Sequence, residues 1–289
     1  MTLIGAARLV SDAAAAGAAV PSFNVITLEQ VEAVAAGASD AGVPVLLQVS
    51  QNAIVYHGGF AALFAACREV AAAAPVPIGL HADHIQDPAL VDAIIASSCE
   101  FGVGSIMVDS SRLRYEENVA VTAEVVNRAR RHGLWVEAEL GEVGGKDGAH
   151  TPGARTDPAQ AAAFVAATGV DALAVAVGSS HAMRDRSAVL DDELIHDLAG
   201  HLDVPLVLHG SSGVPDEGIA RAVSRGIRKV NVGTALNVVT TAQLRADLAA
   251  QPEAVDPRRY QAGARERTRE LVAHLARVVG RSDQKRGAT

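Results

Sequence analysis

The chain has 289 residues, 49% of them hydrophobic and 20% charged, with a formal net charge of −8. That acidic balance excludes a general electrostatic attraction to nucleic acid or to an anionic membrane, so any anionic ligand must be held by a local site. No uninterrupted apolar run is long enough to cross a bilayer, and the first residues lack a basic start and carry Arg8 and Asp12 inside their apolar pattern; neither a membrane span nor a secretory signal is expected, and the cytoplasm is the expected compartment.

Short β-rich runs recur along the chain at 19–25, 43–50, 76–83, 104–110, 134–140, 171–178, 204–210 and 227–233. Helical periodicity fills the intervals 28–41, 60–74, 88–98, 115–132, 157–168, 190–201, 215–225 and 234–250, several opened by Asp, Thr or a first-position Pro. Strand and helix alternate throughout, and the strand runs lack strict polar alternation, which predicts a parallel sheet covered on both faces. A single (β/α)8 TIM barrel with a C-terminal helical extension is the leading architecture, with a doubly wound open sheet as the alternative. No linker divides the chain, so 1–289 reads as one domain with a polar tail from about residue 281. The two cysteines, Cys67 and Cys99, have no CxxC spacing and read as reduced core residues. The stretch 141–157, "GEVGGKDGAHTPGARTD", is the longest without apolar periodicity and would leave the C-terminal end of strand five.

In a barrel, chemistry gathers where the strands end. The strand-end residues are Asn24; Gln48 and Ser50; Asp83 and His84; Asp109; Glu139; Ser179, Ser180 and His181; His209 followed by "GSSG"; and Asn231 followed by Gly233 and Thr234. Three histidines therefore end strands three, six and seven, and three imidazoles with an open fourth position is a common way to hold catalytic Zn²⁺. The tetrad "HADH" at 81–84 places His81 and Asp83 on one face of a regular strand and Ala82 and His84 on the other. His57, His132, His150, His196, His201 and His274 read as surface or loop residues. "HGSSG" (209–213) and "NVGT" (231–234) put small residues after two adjacent strands, where backbone N–H groups can cradle a phosphate.

In order and spacing, "HADH", "EENV" (116–119), "EAELGEVGG" (137–145), "TGVDALAVAVGSSH" (168–181), "LVLHGSSG" and "KVNVGT" resemble the class II, zinc-dependent ketose-bisphosphate aldolases, the fructose-bisphosphate and tagatose-bisphosphate enzymes, over nearly the whole chain. The resemblance implies Zn²⁺ on His84, His181 and His209, with Asp83 moving the proton at the substrate C4 hydroxyl. It implies Asn24 beside the enediolate, and Gly210, Ser211, Ser212, Gly233 and Thr234 at the C1 phosphate. Ser50 and Asn231 would meet the rest of the substrate. Asp109 and Glu139 resemble a secondary metal position, Arg258 resembles the arginine that meets a distal phosphate from a neighbouring subunit, and His81 reads as a partner behind the metal ligands.

Two positions depart from the family. Where it usually has a glutamate that exchanges the C1 proton of glycerone phosphate, this chain has Asp147, with Glu142 as the alternative base. Where it usually has a glycine after the motif histidine, this chain has Ala182, whose Cβ crowds a backbone that should approach phosphate or a monovalent cation. Of the three lysines, Lys146 lies in the Gly-rich loop, Lys285 in the tail, and Lys229 reads as entering strand eight from its far end; none reads as a Schiff-base nucleophile. The expected activity is zinc-dependent reversible aldol cleavage of a phosphorylated ketose by a homodimer or homotetramer. An aldolase for another phosphorylated substrate, such as a keto-acid intermediate of polyol catabolism, and a degenerate sugar-phosphate-binding protein remain as alternatives.

Overall fold

The structure, a computed structural model, describes residues 3–141 and 155–280. Eight parallel strands close into a barrel in chain order: β1 (Val20–Asn24), β2 (Val45–Ser50), β3 (Ile78–Ile85), β4 (Ser105–Val108), β5 (Trp135–Glu139), β6 (Ala172–Val175), β7 (Leu206–Leu208) and β8 (Ile227–Val232), with β8 pairing back onto β1. The helices are α1 (Ala6–Ala15), α2 (Leu28–Ala41), α3 (Gln51–His57), α4 (Ala61–Ala73), α5 (Pro88–Phe101), α6 (Tyr115–Arg130), α7 (Pro158–Thr168), α8 (Asp192–His201), α9 (Asp216–Arg225), α10 (Thr234–Ala250) and α11 (Pro257–Gly280). The closed order confirms the TIM barrel and removes the open sheet.

Local chemistry sets the helix ends. Thr27 and Gln30 form a reciprocal capping box at the start of α2, and Gly42 ends it in the left-handed conformation. Asp87 and Asp157 cap α5 and α7, each followed by proline at the first helical position. Two helices go beyond the sequence reading. Helix α3 is one short element opened by the Ser50 hydroxyl, which accepts from Ala53 N–H. Helix α1 turns Ala6, Leu9 and Val10 onto one end of the barrel.

Along each strand alternate residues face the barrel interior and the helical ring. Phe23, Leu47, Leu80, Ile106, Val136, Leu173 and Leu208 belong to the outer core between sheet and helices. The interior is filled differently at its two ends. Near α1 it is apolar, with Val20, Leu46, Met107, Trp135, Ala172, Ala174 and Val207 packed on Leu9 and Val10. Two residues further along β1, β2 and β5 lie Ser22, Gln48 and Glu137, joined by His81 of β3, Ser105 of β4 and Lys229 of β8, and all six are fully buried. Among them His81, Glu137 and Lys229 lie two residues before Asp83, Glu139 and Asn231, respectively.

Cys67 is buried in the core, where burial pushes its thiol up to about 12. Cys99 is not a core residue: it is exposed on α5, one position beyond the buried stripe Val91, Ile94, Ile95 and Ser98. No helix of the described residues is long and apolar enough to cross a membrane. The Gly-rich loop with Glu142, Lys146, Asp147 and His150, and the tail from 281, lie outside the described residues.

Candidate active site

The HADH tetrad departs from regular strand geometry. Pairing between β3 and β4 shifts register between Ala82 and Ile85, and His84 adopts a left-handed φ of 51°. In an unbroken strand His84 would point away from Asp83; the irregularity re-aims it into the mouth of the barrel. A positive φ at a non-glycine residue costs roughly 1–2 kcal/mol and persists where the surroundings enforce it. Here Asp109 does so, its Oδ2 accepting from His84 Nδ1 at 3.1 Å while also accepting from Gln86 Nε2, and its Oδ1 accepting from Ser111 Oγ. With Nδ1 donating, His84 presents Nε2 to the site.

The three imidazoles converge. Ring centroids are 5.2 Å apart for His84 and His181, 4.7 Å for His84 and His209, and 5.6 Å for His181 and His209. Together with Glu139 they offer four ligand atoms that lie within 4.8 Å of one another. The buried His209 Nδ1 makes no hydrogen bond and faces Glu139 Oε2 at 3.6 Å. Its other nitrogen, Nε2, donates to Glu137 Oε1 at 2.9 Å, which fixes the proton on Nε2 and leaves Nδ1 with a bare lone pair. Burial, reinforced by the charge of His84, pulls His209 down to about 4 against the opposing Glu137 carboxylate, so the ring is neutral near pH 7. Imidazoles and a carboxylate make a donor set that suits Zn²⁺, and the unbonded His209 nitrogen among them fits a divalent cation. The C-terminal end of β5 is fixed from behind by Asn118 of the EENV stretch, whose Nδ2 donates to the carbonyls of Glu139 and Leu140.

Asp83 sits beside this group, buried, with Oδ1 4.0 Å from His84 Nε2. Asn24 Nδ2 donates to its Oδ2 at 2.7 Å, and Asn231 Nδ2 approaches its Oδ1 at 3.5 Å. Burial alone would raise the Asp83 pKa, but His84, His81, Lys229 and His209 outweigh it and hold the carboxyl well below the usual range. His81 has no place among the four ligand atoms: burial and Lys229 pull it down to about 3, and its Nδ1 meets Ser105 Oγ at 2.8 Å.

A cavity of about 460 Å³ opens over Asp83, His84 and His181, lined also by Asn24, Ser50, Ala182, Gly210, Ser212, Asn231, Gly233 and Thr234. Gly210 has a φ of 66°, and a Cβ there would fall 2.5 Å from the Ser180 carbonyl oxygen, so this turn requires glycine. It leads into a single 3₁₀ turn, Ser211–Gly213, beside the N-terminus of α10, where Ser212 Oγ accepts from Ala235 N–H. Ser211 differs from its neighbours. It is buried, its hydroxyl donates to the Asn231 carbonyl at 2.5 Å, and it does not line the cavity, so it braces one loop against the other.

A model of the family described as "Fructose-bisphosphate aldolase class-II" matches residues 5–284. The chain belongs to the class II fructose-bisphosphate aldolase family. Among solved structures, the YdjI aldolase from Escherichia coli K12 is 29% identical, covering 98% of this chain and 99% of its own, with a TM-score of 0.81. A candidate fructose-1,6-bisphosphate aldolase from Coccidioides immitis is 28% identical, with 98% of each chain covered and a TM-score of 0.85. The fructose-bisphosphate aldolase from Campylobacter jejuni, 22% identical with 96% and 95% coverage and a TM-score of 0.81, shares the fold.

In this class II aldolase, a carbon–carbon lyase, the structure gathers most of the sequence-predicted site residues at one mouth. Asp109 orients His84 and is not among the four clustered ligand atoms. Arg258 is exposed, paired with Asp256, and lines a separate surface groove with Leu28, Glu32 and Arg265. Several site residues go beyond the sequence reading. Gln51 and Asn52 line the cavity from α3, Gln86 and Arg112 from loops, and Asn237 from α10. Lys229 does not sit at the far end of β8: it is fully buried, with Nζ 2.8 Å from Glu137 Oε2. Glu137 lies two positions before Glu139 and Lys229 two before Asn231, as Gln48 and His81 do before Ser50 and Asp83, and period-two alternation could have placed both on the inner face.

Proposed function

We propose that this aldolase performs reversible cleavage of the C3–C4 bond of a ketose 1-phosphate or 1,6-bisphosphate, releasing glycerone phosphate and an aldehyde. The observation that carries the reading is the convergence of three imidazoles from three separate strand ends beside one buried, ionised carboxylate. His84, His181 and His209, with Glu139 alongside, would hold one Zn²⁺, which supplies the positive charge that stabilises the enediolate left by bond cleavage.

The remaining work falls to the chain's own groups. Asp83, held in its charged form, takes the proton from the C4 hydroxyl in cleavage and returns it in condensation. Asn24 and Asn231, at the edge of the cavity, hydrogen-bond the hydroxyls around the reacting carbons. Gly210, Ser212, Gly233 and Thr234 anchor the C1 phosphate through backbone N–H groups and hydroxyls at the N-terminus of α10, where the helix dipole favours an anion. Ala182 lines the same wall, next to where a monovalent cation would sit, and Ser50 lines the opposite side. Asp109 is proposed to serve as an outer metal position only secondarily to its hold on His84. Asp147, with Glu142 as the alternative, is proposed to exchange the C1 proton. Arg258 is proposed to reach the distal phosphate of a neighbouring subunit in a homodimer or homotetramer, a role its exposed side chain and separation from this chain's own cavity support.

A panel of phosphorylated ketoses assayed for triose phosphate release tests the reading. Turnover of at least one member that disappears in chelator is expected. Tight binding of a member with turnover of none would favour a sugar-phosphate-binding protein instead.

A further inference from the structure

Lys229 is a buried ammonium with no place in the reaction described above. It has three hydrogens to donate and nothing with which to accept. Its Nζ donates to Gln48 Oε1 at 2.8 Å and to Asn231 Oδ1 at 2.7 Å, and forms an ion pair with Glu137 Oε2 at 2.8 Å. Lys229, Gln48 and Glu137 are fully buried and Asn231 nearly so.

Each of those acceptors belongs to a group with a second end. A side-chain amide can sit either way round in a cavity, but an ammonium admits only oxygens. With the Asn231 oxygen turned to Lys229, its Nδ2 lies 3.1 Å from His209 Nε2 and 3.5 Å from Asp83 Oδ1; because Nε2 donates to Glu137 it has no lone pair for the amide, and Asp83 is left as the acceptor. With the Gln48 oxygen turned to Lys229, its Nε2 donates to Asn24 Oδ1 at 3.1 Å, which obliges Asn24 to present Nδ2 to Asp83 Oδ2 at 2.7 Å. With Glu137 held by its Oε2, its Oε1 accepts from His209 Nε2, and His209 turns a bare Nδ1 to the ligand cluster.

We infer that Lys229 is a positioning residue that sets hydrogen-bond direction throughout the site: through two amides it makes Asp83 the recipient of donors on both oxygens, and through Glu137 it fixes the tautomer of His209. Stability gives no rival reason to keep it. A buried ion pair gains little over well-packed apolar side chains, because both charges lose their hydration. The inference rests on the proposed aldol reaction for its kinetic consequence but not for its structural one.

The test uses Lys229→Met, with Lys229→Met/Glu137→Gln as a second variant that removes both charges while the introduced amide oxygen can still accept from His209. In the metal-free protein, imidazole nitrogen NMR should show His209 protonated on Nε2 in wild type and as a mixture of tautomers in Lys229→Met. In the zinc-loaded enzyme, kcat should fall by about a hundredfold, the scale of a small misplacement of reacting groups, with a smaller rise in KM because Asn24 and Asn231 also meet the substrate hydroxyls. If Lys229→Met does not fold, the double variant carries the test: the introduced amide, no longer turned by an ammonium, can face His209 either way round, so His209 is again a mixture of tautomers and kcat is still depressed. An unchanged His209 tautomer with kcat within about threefold of wild type in Lys229→Met overturns the inference, as does recovery of wild-type kcat in the double variant. Absence of turnover in wild type would count against the aldol reading, while the tautomer measurement would still decide the role of Lys229.

Discussion

The same strands build two unlike halves of one barrel interior. Leu46 and Gln48 are neighbours on the inner face of β2, and Trp135 and Glu137 on that of β5, yet the first of each pair packs on α1 and the second joins a network of buried charge and amide groups. The lower half is an ordinary apolar core whose burial stabilises the fold. The upper half buries Asp83, Glu137, Lys229, His81 and His209, groups whose desolvation opposes folding unless each is partnered. Stability and function are therefore separated along the barrel axis by a few residues of strand, and a substitution should report which half it touches.

The largest effect is expected in the upper half. His209→Ala should lose both metal and activity, while Asp83→Asn should keep the metal and the fold and lose cleavage by several orders of magnitude, as measured by metal content and triose phosphate release. Near wild-type turnover of Asp83→Asn would move the proton transfer to another group. In the lower half, Leu46→Ala should cost about 2–5 kcal/mol of stability by denaturant unfolding and leave KM and kcat close to wild type where the protein is folded. A change in KM from that variant would break the separation.

Acid should weaken the metal-free upper half first. His81 and His209 are pulled down to about 3 and about 4 in the folded chain, below an unfolded value near 6.5, so the unfolded state takes up more protons in that interval. Stability is then full above about pH 6.5 and falls as the pH drops toward 4, by up to about 1.4 kcal/mol per pH unit for each group. Asp83 and Glu137, both held low, add to the loss once the pH falls through the ordinary carboxylate range. Urea midpoints of metal-free protein across this window should slope accordingly, and His209→Ala should flatten part of the slope.

The smallest expected effect is at the rim. Ala182 adopts a φ of 59°, a conformation that glycine enters without strain. Ala182→Gly should raise stability by about 0.5–1 kcal/mol, the left-handed strain relieved less the added freedom of the unfolded chain. A lower melting temperature for that variant would show the Cβ making a contact worth more than the strain.

Much of this arrangement is legible in the sequence, for reasons that differ by element. Helices α2 and α10 fall on the expected 28–41 and 234–250 because apolar periodicity, and for α2 a capping box and terminal glycine, agree on their limits. Strands β6 and β7 are shorter than expected, since Ala176 and Val177 beyond the one, and His209 and Gly210 beyond the other, belong to loops that turn into the site. The Ala-rich pattern of 6–15 hides α1, because a helix that plugs a barrel end has no strand before it to mark its place in the alternation. His84 is legible as a site residue but not in its direction, which depends on a register shift and a positive φ that alternation does not foresee. The backbone position of Lys229 suggests the wrong end of the barrel because its long stem carries the ammonium to Asn231 and Glu137.

The central claim, that three imidazoles and Asp83 form a metal-dependent aldol site, is tested most directly by titrating Zn²⁺ into chelator-treated protein while following glycerone phosphate release from a ketose bisphosphate. Activity should be absent at the start and rise linearly to a plateau at about one catalytic equivalent per chain, with borohydride trapping no substrate adduct at any point. Full activity before any metal is added, or a borohydride-trapped adduct, would contradict the account.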